Sequence, residues 1–282
     1  TKKFDAAIQF FYKAIEIRPE HADTHYNLGF VFTELGEYQK AIKFCQKAIQ
    51  IQPNHAEAYY NLGNILNKLK EFHKAENCYQ QTIKIQPSNA KAHNNLGNVF
   101  KQLGKFQKAI NSYQKAIKIQ PNHEKAHFNL GNVFKQLGKF QKAKGFYQKA
   151  LHYKPENLET LDHLIDLDKG ILDSNLKNKI NEIMKKSSSS KKNIAYGNFL
   201  LSRYEFKEQN YEKEFNYLLK GHYYYFESKG KQFSEQVNYW LNKLPNIKEL
   251  ANLSNLSENI NKSNNKINPI FIIGVPRCGS TL

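Results

Sequence analysis

The sequence predicts an all-α chain: a right-handed superhelical solenoid of stacked helix pairs, with extra helices beyond it and the beginning of an α/β unit at the end. Three observations predict this. Pro19, Pro53, Pro87, Pro121 and Pro155 stand 34 residues apart. Gly29, Gly63, Gly97 and Gly131, each preceded by a leucine (Leu28, Leu62, Leu96, Leu130), follow the first four prolines at ten residues. Ala7, Ala41, Ala75, Ala109 and Ala143 precede the prolines by twelve. A self-similar period of this length marks a helical repeat array.

Each recurring position has a physical task. Small residues at the glycine and alanine positions let two antiparallel helices approach closely. Larger residues, Phe11, Cys45, Tyr79, Tyr113 and Tyr147, lie eight before the prolines. Phe32, Leu66, Phe100 and Phe134 are expected to fill the groove between successive pairs. Each proline sits where a second helix must stop, because it lacks an amide donor and restricts the residue before it. One pair cannot bury its own apolar face, so the array is stable only as a stack. These residues resemble the tetratricopeptide-repeat family over residues 1–157. The resemblance implies four complete repeats starting near residues 22, 56, 90 and 124, after a lone second helix at about 4–17. The chain begins at Thr1 and its only methionine is Met184, so further repeats and the true start are expected upstream.

The chain has 282 residues and a formal charge of +17. Through residue 157 there are 24 Lys+Arg against 11 Asp+Glu, a net +13; the remainder has 18 against 14, a net +4. Such a surface suits anionic partners, and a chain-wide bias toward Lys, Asn and Ile accounts for it as well. No stretch approaches the roughly 20 apolar residues of a membrane span. Cys45, Cys78 and Cys278 make neither a paired framework nor a metal spacing, which fits a reducing, cytoplasmic setting and no metal. His25, His93 and His127 replace the bulky residue usual at the fourth repeat position and read as packing residues, and Cys45 as a core residue.

Asparagine recurs before each Leu-Gly pair at Asn27, Asn61, Asn95 and Asn129, and after the glycine at Asn64, Asn98 and Asn132. Both sets fall on first helices, which line the inner curve in the family. An amide side chain offers donor and acceptor together, so a ladder of them can pair with the backbone of an extended peptide, as in the O-linked N-acetylglucosamine transferases that this array is similar to. Local packing is the alternative role. Inner positions also change sign, from Asp23 and Glu57 to Lys91 and Lys125 with Lys101 and Lys135 added, which could draw an acidic peptide to the late repeats.

The period fails after Asn157. Residues 158–250 read as capping helices and one repeat-like hairpin: Leu158 to Lys169, Leu176 to Lys186, Ile194 to Glu208, Tyr211 to Glu227 and Gln232 to Leu244. The run Ser187 to Ser190 is a loop signal, and 251–268 an Asn- and Ser-rich connection. Tyr223 to Phe226 read as core, since no nucleic-acid motif accompanies them; no nucleic acid is expected as a partner.

Residues 269–282 carry chemistry. Pro269 to Ile273 is a short apolar run of the kind that forms a strand buried on both faces. It enters Gly274-Val275-Pro276-Arg277-Cys278-Gly279-Ser280-Thr281-Leu282, a loop able to cradle an anion with backbone amides. The glycine spacing is that of the nucleotide phosphate loop, but Ser280 stands in place of its lysine and Arg277 lies inside the loop. The segment resembles the 5′-phosphosulfate loop of sulfotransferases, PxFIxGxPRSGTTL, with Cys278 for serine and Ser280 for threonine. That resemblance implies a PAPS-dependent enzyme, with 3′-phosphoadenosine-5′-phosphosulfate as donor and no metal. Arg277 would be the catalytic residue, stabilising the bridging oxygens. Cys278, Gly279, Ser280 and Thr281 would hold the 5′-phosphate beside it. The repeats would present a protein or peptide hydroxyl, such as that of a tyrosine, as in tetratricopeptide-repeat and protein-tyrosine sulfotransferases. The stretch 1–282 alone, ending where the loop's helix would begin, is expected to be inactive. A peptide-binding scaffold without catalysis is the alternative, and a nucleotide-dependent kinase or NTPase a third.

Overall fold

The chain forms helix pairs because its helix-ending signals recur with the same period as its apolar faces. The computed structural model describes residues 2–186 and 188–229. The expected helix at 232–244, the connection 251–268 and the loop 269–282 lie outside the described residues. Helix α1 (Lys2–Ile17) is a second helix without a first. Four antiparallel pairs follow: α2 (Ala22–Leu35) with α3 (Tyr38–Ile51), α4 (Ala56–Lys68) with α5 (Phe72–Ile85), α6 (Ala90–Gln102) with α7 (Phe106–Ile119), and α8 (Glu124–Gln136) with α9 (Phe140–Tyr153). Then come α10 (Leu158–Leu167), a 3-10 turn (Lys169–Ile171), α11 (Ser174–Lys185), α12 (Lys191–Lys207) and α13 (Tyr211–Lys229). The described residues contain no strand.

The punctuation is local. Gln52, Gln86, Gln120 and Lys154, each just before a proline, leave the helical region at φ −128°, −125°, −130° and −140°, as the proline ring demands of its predecessor. Three residues on, His55, Asn89, His123 and Asn157 start the next helix, their side chains accepting the amide of Ala58, Ala92, Ala126 or Thr160 at 3.3, 2.9, 3.3 and 3.1 Å. The turn inside each pair needs a left-handed residue. Gly36, Gly104 and Gly138 supply it at φ 77°, 70° and 70°, whereas Lys70 takes it at φ 61° with a Cβ to accommodate.

The core runs the length of the array. Leu28, Leu62, Leu96 and Leu130 are buried together with Phe32, Leu66, Phe100 and Phe134, each such side chain contributing about 1.5–3 kcal/mol. Tyr79, Tyr113 and Tyr147 are fully buried. Their rings lie over Gly63, Gly97 and Gly131, where an added Cβ would come within 2.9, 2.6 and 2.6 Å. The first pair instead sets Cys45 against Gly29.

The period fails at several positions after Asn157, and one of them shows a physical cause. Ile165 stands in α10 where the four repeats have glycine, and a branched side chain there takes away the close approach that a second helix needs. Helix α12 packs on both α10 and α11 instead. Leu158, Leu161, Ile165, Ile180, Ile183, Leu200, Leu201 and Tyr204 form this second core, while Leu164 of α10 still belongs to the first. Gly197 faces Met184 and Gly221 faces Phe199, so small against large returns in the final helices. Ser190 caps α12 through the amide of Asn193 at 3.2 Å. Residues through Tyr225 form one compact unit; of the second, Phe226–Leu282, only the end of α13 is described.

Candidate functional site

Successive first helices α2, α4, α6 and α8 pack side by side, so their outward residues make one continuous face. Six of the seven asparagines are wired into it. The hydroxyls of Tyr79, Tyr113 and Tyr147 donate to Oδ1 of Asn64, Asn98 and Asn132, each at 2.8 Å. The bond joins the two helices of one repeat, and it fixes which way each amide points. Among the described residues, Nδ2 of Asn98 and Asn132 has no hydrogen-bond partner, whereas the Asn64 amide also acts on the Tyr60 phenol. Burial pushes all three phenols well above their usual pKa, so these hydroxyls stay donors.

The other set joins neighbouring repeats. Asn95 Nδ2 donates to Tyr60 Oη at 3.1 Å and Asn64 Oδ1 at 2.9 Å, and Asn129 Nδ2 to Asn94 Oδ1 at 3.0 Å. Asn61 is buried, its amide on Thr33 Oγ1 at 3.4 Å and Cys45 Sγ at 3.5 Å. Asn27 is exposed. The residues that the sequence singles out are therefore brought onto one face, but Asn61, Asn95 and Asn129 spend their donors inside it. Sequence reading missed the tyrosine partners and Asn94. The signal was present: wherever the second helix carries tyrosine eight residues before proline, the first carries asparagine after its glycine, and where it carries Cys45 the first has Phe30.

Charge on this face is arranged by position. His55 accepts the Ala58 amide at Nδ1, so Nε2 carries the proton and donates to Asp23 Oδ1 at 3.1 Å. Glu57 Oε1 accepts from Gln86 Nε2 at 2.8 Å. Lys91 and Lys125 are exposed. The late cations expected to attract acidic peptide are differently placed: Lys135 pairs with Asp166 at 2.9 Å, and burial lowers the Lys101 ammonium while Glu159 opposes the shift. Arg203 of α12 donates to Asp162 and Asp166, each at 2.7 Å. It bridges two first-helix positions as Asn95 does three repeats earlier, so α12 continues the row with an ionic stitch.

The histidines serve the fold. His25, His93 and His127 donate Nε2–H to the carbonyls of Pro19, Pro87 and Pro121 at 2.7, 3.1 and 2.8 Å. Burial lowers the pKa of His93 and His127, and Nδ1 of His25 and His127 is enclosed without a partner. No group of three metal-ligating side chains occurs among the described residues. Burial pushes the Cys45 thiol up to about 12 and Cys78 up to about 11, which keeps both unreactive. No described helix is long and apolar enough to cross a membrane. Arg277, Cys278, Gly279, Ser280 and Thr281 lie outside the described residues.

Comparison with known proteins places the repeat. The TPR repeat family matches residues 1–36 and 97–138, and tetratricopeptide-repeat families match residues 20–88, 78–111 and 124–157. No curated protein matches the chain. Among solved structures, MamA is similar at 29% identity, with 55% of this chain and 91% of that one covered and a TM-score of 0.52. MamA from Desulfovibrio magneticus RS-1 stands at 24% identity, 54% and 86% coverage and a TM-score of 0.51. PilF of Pseudomonas aeruginosa shares the fold at 19% identity, 77% and 96% coverage and a TM-score of 0.57. Together the family matches run without a gap over residues 1–157, and through them the chain belongs to the tetratricopeptide-repeat family.

Proposed function

We propose that the first-helix face of this repeat scaffold holds an extended polypeptide segment by its main chain, and so mediates protein–protein interaction. The observation that carries the reading is the pinned amide at Asn64, Asn98 and Asn132, recurring every 34 residues. An amide whose carbonyl is held cannot turn over to offer its oxygen. Its NH2 is a preset donor that selects carbonyl acceptors, which every peptide backbone provides whatever its side chains. Random dodecamers displayed on phage and selected against the protein test this. Selected peptides should bind the parent, and Asn64→Ala/Asn98→Ala/Asn132→Ala should weaken all of them by about tenfold or more, at ~0.5–1.5 kcal/mol for each bond lost. Selection of no peptide, or unchanged affinity in the triple variant, sinks the reading.

A second reading rests on Pro269 to Leu282, which resembles the phosphosulfate loop of sulfotransferases. There the same face would present a hydroxyl-bearing polypeptide to a sulfuryl donor, and Arg277 would stabilise charge on the leaving phosphosulfate oxygens. Its test is titration of 3′-phosphoadenosine-5′-phosphate into a protein carrying a complete domain around this loop. Binding preferred over ATP and lost in Arg277→Ala supports it; equal preference for ATP removes it.

A further inference from the structure

We infer that the peptide-holding face is bipartite: repeats one and two accept a basic residue beside an aromatic or large aliphatic one, and repeats three and four accept an acidic residue about six positions away. The inference rests on the peptide-holding reading above and names the chemistry of the partner. Its basis is a break in the pattern at Phe30, which occupies the position of Asn64, Asn98 and Asn132 and is 47% exposed. Tyr26 lies one turn before it on the same side of α2, half-buried, with its ring 5.1 Å from that of His55. An exposed aromatic on a face that is otherwise amide and charge is a place for an apolar side chain to leave water.

Two carboxylates flank this aromatic pair. The Asp23 and Glu57 side chains are 66% and 54% exposed, and neither is paired with a lysine or arginine in the described structure. Their hydrogen-bond partners are the His55 ring and the Gln86 amide. Lys68, the cation of these two repeats on α4, turns instead to Tyr38, with Nζ 3.4 Å from Oη and 5.4 Å from the ring centre. The Glu57 charge also acts on Tyr26, whose phenol is raised first by burial and then by that carboxylate. The same first-helix position in repeats three and four carries Lys91 and Lys125, exposed and without an ion pair to a described residue. The field along the row therefore reverses midway, and a segment lying across it is matched only if its own charge reverses too.

The spacing follows from the stack. The acidic pair and the basic pair are two repeats apart. At ~10 Å between packed helices, that is roughly 20 Å, or about six residues of extended chain at ~3.3 Å each.

The phage selection separates this inference from the reading beneath it. Enriched dodecamers should carry Lys or Arg beside an aromatic or large aliphatic residue, and Asp or Glu about six positions away. Enriched peptides without such separation, or uniformly acidic ones, overturn the bipartite face and leave the scaffold standing; no enriched peptide overturns both. Fluorescence anisotropy of a labelled enriched peptide then tests the residues. Asp23→Asn/Glu57→Gln keeps an acceptor for His55 and Gln86, so folding is spared, and affinity should fall about tenfold with a weaker dependence on salt. Phe30→Asn, which removes the exposed ring and places there the residue type of the other repeats, should weaken the same peptide and leave one lacking the apolar residue unchanged. Unchanged affinity in both variants overturns the assignment.

Discussion

Gly97→Ala probes how tightly a repeat is closed. A Cβ at this position would lie 2.6, 2.7 and 2.9 Å from Cε1, Cδ1 and Cζ of Tyr113, distances that side chains do not tolerate. The ring has nowhere to go: it is fully buried, and its hydroxyl is tied to Asn98, the residue directly after the glycine. Retreat of the ring would cost about 1–3 kcal/mol as overpacking and forfeit a hydrogen bond of about 1 kcal/mol. Gly97→Ala should therefore destabilise the array by about 2–4 kcal/mol. Gly145→Ala is the internal contrast. It also sits inside a helix, α9, but its Cβ would meet nothing within 4 Å, so helix propensity alone should stabilise by about 0.5–1 kcal/mol. Urea unfolding followed by helical circular dichroism reads both, with the midpoint moving in opposite directions. Combining Gly97→Ala with Tyr113→Leu should recover much of the loss, since the clash belongs to the pair. Equal effects of the two glycine substitutions, or no recovery in the double variant, would refute the reasoning.

Two further outcomes follow from local geometry. Lys70→Gly removes a side chain from a left-handed residue at φ 61°, a conformation glycine occupies in three other turns. The midpoint in urea should rise by an amount equal to about 0.5–1 kcal/mol, the strain relieved less the added chain entropy. Lowering the pH from 7.5 to 5.5 should lower the midpoint. The imidazoles of His93, His123, His127 and His163 are held below the usual 6.5, by burial in each case. The unfolded chain takes up protons near pH 6.5 that the folded rings still refuse, so the stability present above that value is lost as the pH falls toward the lowered folded pKa values. Carboxylates do not enter this window. His93→Phe/His127→Phe should flatten the slope, and a midpoint that holds or rises on acidification would contradict the burial of these rings.

Helix boundaries were the most legible part, because their causes sit within a few residues of each other. A proline and the residue before it stop α3, α5, α7 and α9, and glycine turns three of the four pairs. The close approach at the Leu-Gly positions was legible for the same reason. The caps at His55, Asn89, His123 and Asn157 were within reach of that logic as well, two residues past each proline. Legibility fails where one side chain has two credible partners. An asparagine on a first helix can serve a ligand or the fold, and composition does not say which.

What the sequence determined by itself was the array: period, pair count and the positions that must be small. Those follow from short-range sterics, which repeat whenever the residues repeat. The tertiary structure alone decided how the polar groups are spent. Tyr113 meets Asn98 from fifteen residues away, Asn95 bridges Tyr60 and Asn64, and Lys135, a candidate for acidic peptide, is met by Asp166 from the capping helix. Arg203 takes over the stitch where the asparagines end. Such pairings depend on which helices lie side by side once the stack has formed. A hydrogen bond or ion pair selects its partner by distance in space, and distance in space is set only when the leucines and tyrosines have closed the core.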